Sequence, residues 1–309
     1  MSNKVFKTID EQVEILKEKG LVINDVDSAK SILLRENYFF VSGYRHLFLK
    51  SSMNRQFLEG TTFEEMYAMF YFDRQLRNII FKKVLIVENN LKSILSYVVS
   101  KNRGYKEKSY LNPNNFVKNP KQSRQVNDLL KKMARQIRTN GDRHSATAHY
   151  LSNYDYIPLW VVVKVLSFGI VSELFTILKS EDQVEIANIL EVNTDDVLDY
   201  LPILANYRNL CAHEDLCYEH RTQKQINNSR YHHLLDIPKM NGEYVYGKND
   251  LFSLMIILKN LLSRDVFTML MNEISYELDR LEGKLHTISI DKVLDRMGFP
   301  KNYTELARL

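Results

Sequence analysis

The stretch Asn206-Tyr207-Arg208-Asn209-Leu210-Cys211-Ala212-His213 closes a long apolar helical pattern that begins near Asp195. On an α-helix Asn209 and His213 share a face, whereas residues five apart, such as Arg208 and His213, point roughly 140° away from each other. The length of the arginine side chain still leaves room for a phosphate between the two groups. Arginine offers a rigid fork of donors suited to phosphate, and histidine titrates nearest neutral pH. Together they can perform acid–base chemistry on a phosphodiester without a metal. The same spacing also suits a plainer arrangement, a solvated arginine followed by a histidine that partners the helix C-terminal dipole.

The chain around this stretch reads as mostly helical. Among 309 residues there are only 10 Gly and 6 Pro, too few breakers for an all-β or loop-rich chain. Hydrophobic residues at 45% and charged residues at 26% are ordinary for a soluble globular protein. Cys211 and Cys217 are the two cysteines, which argues against a disulfide framework and suits a reducing cytoplasm. Met1 to Glu18 lacks the apolar core of a signal peptide. The apolar runs Leu159–Val171 and Leu251–Leu262 are interrupted by Lys164 and Lys259, so no membrane span is expected.

Taken in order, Thr8–Lys19 reads as a helix with a capping box from Thr8 and Glu11 and a stop at Gly20. Val26–Asn37 follows as a second helix. Asn37-Tyr38-Phe39-Phe40-Val41-Ser42-Gly43-Tyr44-Arg45 reads as an aromatic turn that plugs neighbouring helices, with Gly43 at a tight bend. Phe63 to Val99 carries apolar residues at spacings of three and four and forms one or two helices. Within it Asp73 and Arg77 are i,i+4 partners, which implies ordinary helix support.

Lys101 to Arg143 holds twelve Lys and Arg against Glu107, Asp128 and Asp142, a local charge of +9. The whole chain carries +4, so the remainder nets −5. Tyr105, Tyr110 and Phe116 are interleaved, and Pro113, Pro120 and Gly141 set loops around a helix near Arg124–Arg138. A run of this kind is either a solvated helix face or a polyanion surface, and the charge asymmetry favours RNA or DNA. On that reading Lys121, Arg124, Lys131, Lys132, Arg135, Arg138 and Arg143 are the candidate RNA-binding residues. Pro158 marks the start of an apolar helix that runs to Leu178, in which Gly169 implies close packing. Glu181–Leu190 is a short helix, and Thr194-Asp195-Asp196 caps the motif helix. After His220 the chain is polar and loop-like to about Lys248, and Asp250–Leu281 is again strongly apolar and helical.

Two further constellations compete for chemistry. Cys211, His213, Cys217 and His220 form C-x-H-x3-C-x2-H, a tetrahedral zinc set by residue type whose spacing matches none of the common fingers; buried thiols are the alternative, and no metal is assigned. His144 and His149 flank the basic region, where they either contact phosphate or cap and solvate a loop. No Gly-rich phosphate loop or G-x-S-x-G elbow is present.

Asn37–Tyr44, Phe72-Asp73-Arg74-Gln75-Leu76-Arg77 with Glu88 downstream, Pro158-Leu159-Trp160 with Leu166-Ser167-Phe168-Gly169, and Tyr207–His213 together resemble the Abi-like (AbiD/AbiF-type) abortive-infection proteins of the HEPN superfamily. They occur in the family's order over roughly residues 10–220, and Met297-Gly298-Phe299-Pro300 resembles family members as well. Two positions depart from the pattern. Glu214–Glu219 stands where the family often carries a second His and an aromatic-Asn pair, and Lys164 stands where it often carries a Glu.

The resemblance implies an all-α, HEPN-like helical bundle with additional N- and C-terminal helices. The expected layout is a domain over 1–220 with a basic insertion at about 101–143, and a helical extension over 221–309 packed on the same core. It also implies antiphage defence through RNA, a homodimer with the motif helix at its interface, and no cofactor. Cleavage would be metal-independent, with the ribose 2′-OH as nucleophile and a 2′,3′-cyclic phosphate as product. His213 would then be general acid or base, Arg208 would stabilise the phosphorane, and Asn209 would orient the phosphate or the histidine. Two alternatives remain open: a catalytically silent binder of a small structured non-coding RNA, and a scaffold in which the Arg/His pair stabilises a homodimer.

Overall fold

Phe63–Arg103 (α4) forms one uninterrupted helix of 41 residues, about 60 Å long, and most of the molecule is laid against it. The computed structural model describes residues 5–51, 53–119, 121–141 and 143–309, so Pro120 and Asp142 of the basic segment lie outside the described residues. One helix forms rather than two because no Gly or Pro interrupts the stretch. Its apolar stripe also runs without a phase break through Met66, Phe70, Ile80, Val84, Val87, Leu91, Leu95 and Val98, all buried. The Thr62 side chain accepts from Glu65 N at 3.1 Å to open α4, and Gly104 at φ 93 ends it.

Before α4 come Ile9–Glu18 (α1), Val26–Glu36 (α2) and Tyr38–Gly43 (α3). The Thr8/Glu11 capping box forms as expected. The aromatic stretch differs from its reading: it is a short helix, and Gly43 has ordinary helical angles. The bend falls at Asn37, whose φ of 69 places it in the left-handed region while its side chain accepts from Phe39 N at 2.9 Å. Tyr44 is buried as a plug, but Phe39 and Phe40 are 75% and 51% exposed.

After α4 the chain forms Glu107–Tyr110 (α5), Ser123–Asn140 (α6), Ser145–Tyr154 (α7) and Leu159–Val162 (α8). Phe168–Ile177 (α9), Ser180–Ile189 (α10) and the motif helix Thr194–Ala212 (α11) follow. The apolar pattern from Pro158 to Leu178 is therefore two helices. The Ser167 hydroxyl accepts from Ile170 N and starts α9 afresh, and Gly169 has open space around it rather than a close neighbour. Asn193 precedes α11 without a side-chain cap; Asp195 and Asp196 instead place negative charge in the first turn, where the dipole favours it.

Arg230–Leu234 (α12) and a two-residue hairpin of Lys239–Met240 (β1) and Glu243–Tyr244 (β2) occupy the polar stretch. Asn241 and Gly242, both at positive φ, turn the hairpin. Leu251–Leu261 (α13) and Arg264–Glu282 (α14) divide the next apolar pattern at Leu262-Ser263, and Ile290–Met297 (α15) leads into the tail. The fifteen helices among the described residues make the fold all-α. α14 runs along α4, and α11, α10, α9 and α8 also pack on it. Buried Glu65 of α4 accepts from the backbone of His286 and Thr287 at 2.8 and 2.7 Å, tying the segment after α14 to the start of the long helix.

Candidate functional site

The motif helix ends in a Schellman turn. His213 occupies the C-cap position and donates its N–H to Asn209 O. Glu214 takes the left-handed conformation at φ 57, where a glycine is usual, and Asp215 N donates to Leu210 O at 3.1 Å. His213 and Asn209 are both exposed. With Asn206, His220 and Arg221 they line an open groove of about 650 Å³ whose remaining wall includes Asp215, Leu216 and Glu219.

Arg208 does not share this groove. Its half-buried guanidinium lies over the Phe81 ring at 5.9 Å, and its Nε donates to Glu88 Oε2 at 3.3 Å. The other Glu88 oxygen is held by Lys92 at 2.7 Å. Within one chain, therefore, Asn209 and His213 are brought together and Arg208 is turned to α4. The roughly 140° between positions five apart is not overcome by side-chain length, because buried Glu88 offers a nearer anion.

Sequence reasoning missed Asn206, His220 and Arg221 as members of the groove. Asn206 lies three residues before Asn209 and seven before His213, a one-face helical spacing that could have revealed it. His220 was placed only with the candidate metal set. Its Nε2 meets Asn206 Oδ1 at 2.6 Å and its ring stands edge-on to buried Tyr207. Burial lowers its pKa, Arg221 lowers it further, and Asp215 opposes both, which favours the neutral ring; because Nε2 gives its hydrogen to the Asn206 oxygen, Nδ1 is the nitrogen left to accept a proton. The zinc constellation does not assemble. Cys211 and Cys217 are buried free thiols while His213 faces solvent, and no group of three His, Cys, Asp or Glu among the described residues is arranged to hold a metal ion.

The loop after His213 is held from below. Asp73, fully buried on α4, accepts from Tyr44 Oη at 2.6 Å, Arg77 Nη1 at 2.5 Å, Cys217 N at 3.0 Å and Tyr218 N at 2.7 Å. Arg77 also donates to Asp215 O at 3.3 Å. Burial pushes the Asp73 carboxyl up, against the pull of Arg77 and the other donors. The pair is thus a buried clamp and not ordinary surface helix support. It joins two of the motif stretches, the one ending in Tyr44 and the one containing Asp73 and Arg77, to the loop that follows His213.

The basic residues form a separate surface. α6 buries Val126, Leu129, Leu130, Met133 and Ile137, and turns Arg124, Lys131, Lys132, Arg135 and Arg138 to solvent. Lys121 and Arg143 are exposed at its two ends. Lys132 pairs with Glu173 at 2.9 Å and Arg124 lies 3.8 Å from Asp128; the other five have no ion-pair partner among the described residues. α6 packs on α9, which packs on α11. His144 caps α7, accepting from Ala146 N, and His149 is exposed.

Fold and site together define an all-helical protein whose motif helix ends in a clamped loop beside an open groove. The family model described as Abi-like protein matches residues 31–219, from α2 to the residue before His220. The chain belongs to the Abi-like family. No curated protein matches it significantly, and neither does any solved structure. No helix among the described residues is long and apolar enough to cross a membrane.

Proposed function

We propose that this chain is a cytoplasmic abortive-infection protein of the HEPN type that binds RNA and cleaves it without a metal. The groove that brings His213, Asn209 and His220 together carries this reading. In the proposed reaction neutral His220 takes the proton of a ribose 2′-OH, and O2′ bonds to the adjacent phosphorus. The P–O5′ bond breaks, and His213, as general acid, supplies a proton to O5′, leaving a 2′,3′-cyclic phosphate. Asn209 orients the phosphate. Arg208, turned away from the groove of its own chain, serves the groove of a second copy in a homodimer, where its charge stabilises the phosphorane. The cationic face of α6 supplies RNA affinity, and residues 221–309 act as an extension that braces α4.

Incubation with bacterial RNA in EDTA tests this reading. The parent protein is expected to yield 2′,3′-cyclic phosphate ends, and the Arg208→Ala/His213→Ala form none; equal product from both would remove the site. One observation favours a second reading, a silent binder of a small structured RNA: Asp215 and Glu219 line the same groove and repel a phosphate there. RNA that co-purifies with both forms and is cleaved by neither would establish that reading.

A further inference from the structure

An aromatic surface lies at the end of the basic segment, apart from the groove. Trp160, 46% exposed, has its ring 5.4 Å from Tyr105, which stands 5.9 Å from Tyr156. Tyr156 lies 6.4 Å from Tyr154, itself 54% exposed, and Tyr154 lies 5.4 Å from Tyr150 and 6.2 Å from His149. Six rings from two stretches of the sequence, Tyr105 and residues 149–160, therefore form one continuous surface. The successive tilts of 33°, 57°, 58° and 35° along the chain of five leave ring faces unstacked on one another.

This surface is braced by the backbone. Leu159 N donates to Tyr105 O at 3.0 Å, the Tyr110 hydroxyl donates to Ile157 O at 2.8 Å, and Ile157 N donates to a Glu107 carboxylate oxygen at 2.5 Å. The rings are therefore positioned before any ligand arrives. The last of these bonds engages the Glu107 carboxylate with the backbone, and exposed Asp155 is the acid between Tyr154 and Tyr156. Lysines outnumber acids beside the rings: Lys106 Nζ sits 4.3 Å above the Tyr156 ring and 6.0 Å from Tyr105, and Lys108 and Lys164 are exposed nearby in the sequence. The Thr147 hydroxyl donates to Asn140 O and His144 O, fastening α7 to the end of α6, so the aromatic surface continues from the helix that carries the basic face.

We propose that Trp160, Tyr105, Tyr156 and Tyr154 form a stacking platform for the unpaired bases of single-stranded RNA, with Lys106 neutralising the phosphate between them. Every base has a π-face and every phosphate a charge, so exposed aromatics interleaved with lysines suit single strands without regard to sequence. Duplex RNA, with its bases stacked internally, offers no such faces. The inference rests on the RNA reading above and narrows its substrate to unpaired segments. A protein segment or a second copy of this chain is the competing occupant.

Trp160 is the only tryptophan, so its fluorescence reports this surface alone. The full-length protein is titrated with a 2′-O-methyl oligouridylate, which cannot be cut through a 2′-OH, and with a blunt duplex of the same length. Saturable quenching by the single strand and none by the duplex is expected. Tyr154→Ala and Trp160→Ala should each weaken binding by about ten-fold, the scale of one base stack, while Trp160→Phe keeps the affinity. Binding that leaves Trp160 fluorescence unchanged and is insensitive to Tyr154→Ala overturns the platform and leaves the basic helix as the RNA surface. Quenching that survives charge reversal on α6 retains the platform and removes that helix. Absence of binding by the oligomer and by bacterial RNA defeats both readings. Loss of self-association in Tyr154→Ala at unchanged RNA affinity would assign the surface to a second copy.

Discussion

Asp73 is the position whose loss propagates furthest toward the site. Replacing it with Ala removes the acceptor of four donors at once, two of them backbone N–H groups of the loop that follows His213. It also leaves Arg77, 3% exposed, without its carboxylate. Breaking a buried pair from one side costs about 3–5 kcal/mol, and each buried donor left unsatisfied adds about 1–3 kcal/mol. These penalties overlap, so the expected loss is about 4–6 kcal/mol. That is a large share of the roughly 5–15 kcal/mol typical of a folded protein. Arg77→Ala should cost about 3–5 kcal/mol by the same reasoning. The double variant should cost about 2 kcal/mol less than the sum of the singles, because the second change removes a charge the first had already stranded. Denaturant unfolding of the four proteins measures the cycle. Hydrogen exchange at the Cys217 and Tyr218 amides should accelerate in Asp73→Ala ahead of global unfolding. Losses that simply add, or unchanged exchange at these amides, would refute the clamp.

Four further outcomes follow from the same geometry. His213 is exposed and caps α11 through its backbone N–H, so His213→Ala should leave the melting temperature within a degree or two and lower RNA cleavage by about 10²–10⁴ in kcat. Reversing Lys131, Lys132, Arg135 and Arg138 should weaken single-stranded RNA binding and lower the salt slope of log K by about 3, near 0.7 per lost contact; a slope that does not change would take α6 out of the interface. Gly298→Ala should destabilise strongly, since φ is 76 and an added Cβ would overlap the Asp250 carboxylate; thermal unfolding checks it. Burial raises the Asp250 carboxyl to about 6 despite the Ser253 and Gly247 N–H groups and Arg221. The folded state then binds more protons than the unfolded one between about pH 4 and 6, and stability falls by about 3 kcal/mol as pH rises through that window. Unfolding curves from pH 4 to 7 should show that slope in the parent protein and a flatter one in Asp250→Asn.

Much of the fold was legible because helices announce themselves locally. The Thr8/Glu11 box, the stop at Gly20 and the stripe from Met66 to Val98 are signals of three- and four-residue range, and the structure follows them. The breaks at Val163–Ser167 and Leu262-Ser263 were hidden because the apolar composition continues across them. A serine precedes the next helix at each, capping it through its hydroxyl at Ser167 but not at Ser263, a weak cue inside an apolar run. Gly43 drew the bend that belongs to Asn37, whose side chain can stabilise its own turn. The groove was half legible. Asn209 and His213 share a helical face, but His220 enters from a loop whose path is fixed by Asp73, 147 positions earlier in the sequence, and no local pattern encodes that.

The clamp and the proposed chemistry involve different side chains. Tyr44, Asp73 and Arg77 contribute nothing to the groove of His213, Asn209 and His220, yet they fix the loop that sets where His220 stands. A carboxylate holding two consecutive amides defines a backbone path within a few tenths of an ångström, which is the precision proton transfer needs. Changes at Asp73 should therefore lower stability and turnover together. Changes at His213 should lower turnover alone. Arg208 belongs to neither group: paired with Glu88 at 3.3 Å and only half-buried, it can exchange its carboxylate for a phosphate without disturbing the clamp. Glu88→Gln should accordingly release Arg208, raise RNA affinity, and leave exchange at the Cys217 and Tyr218 amides as it was.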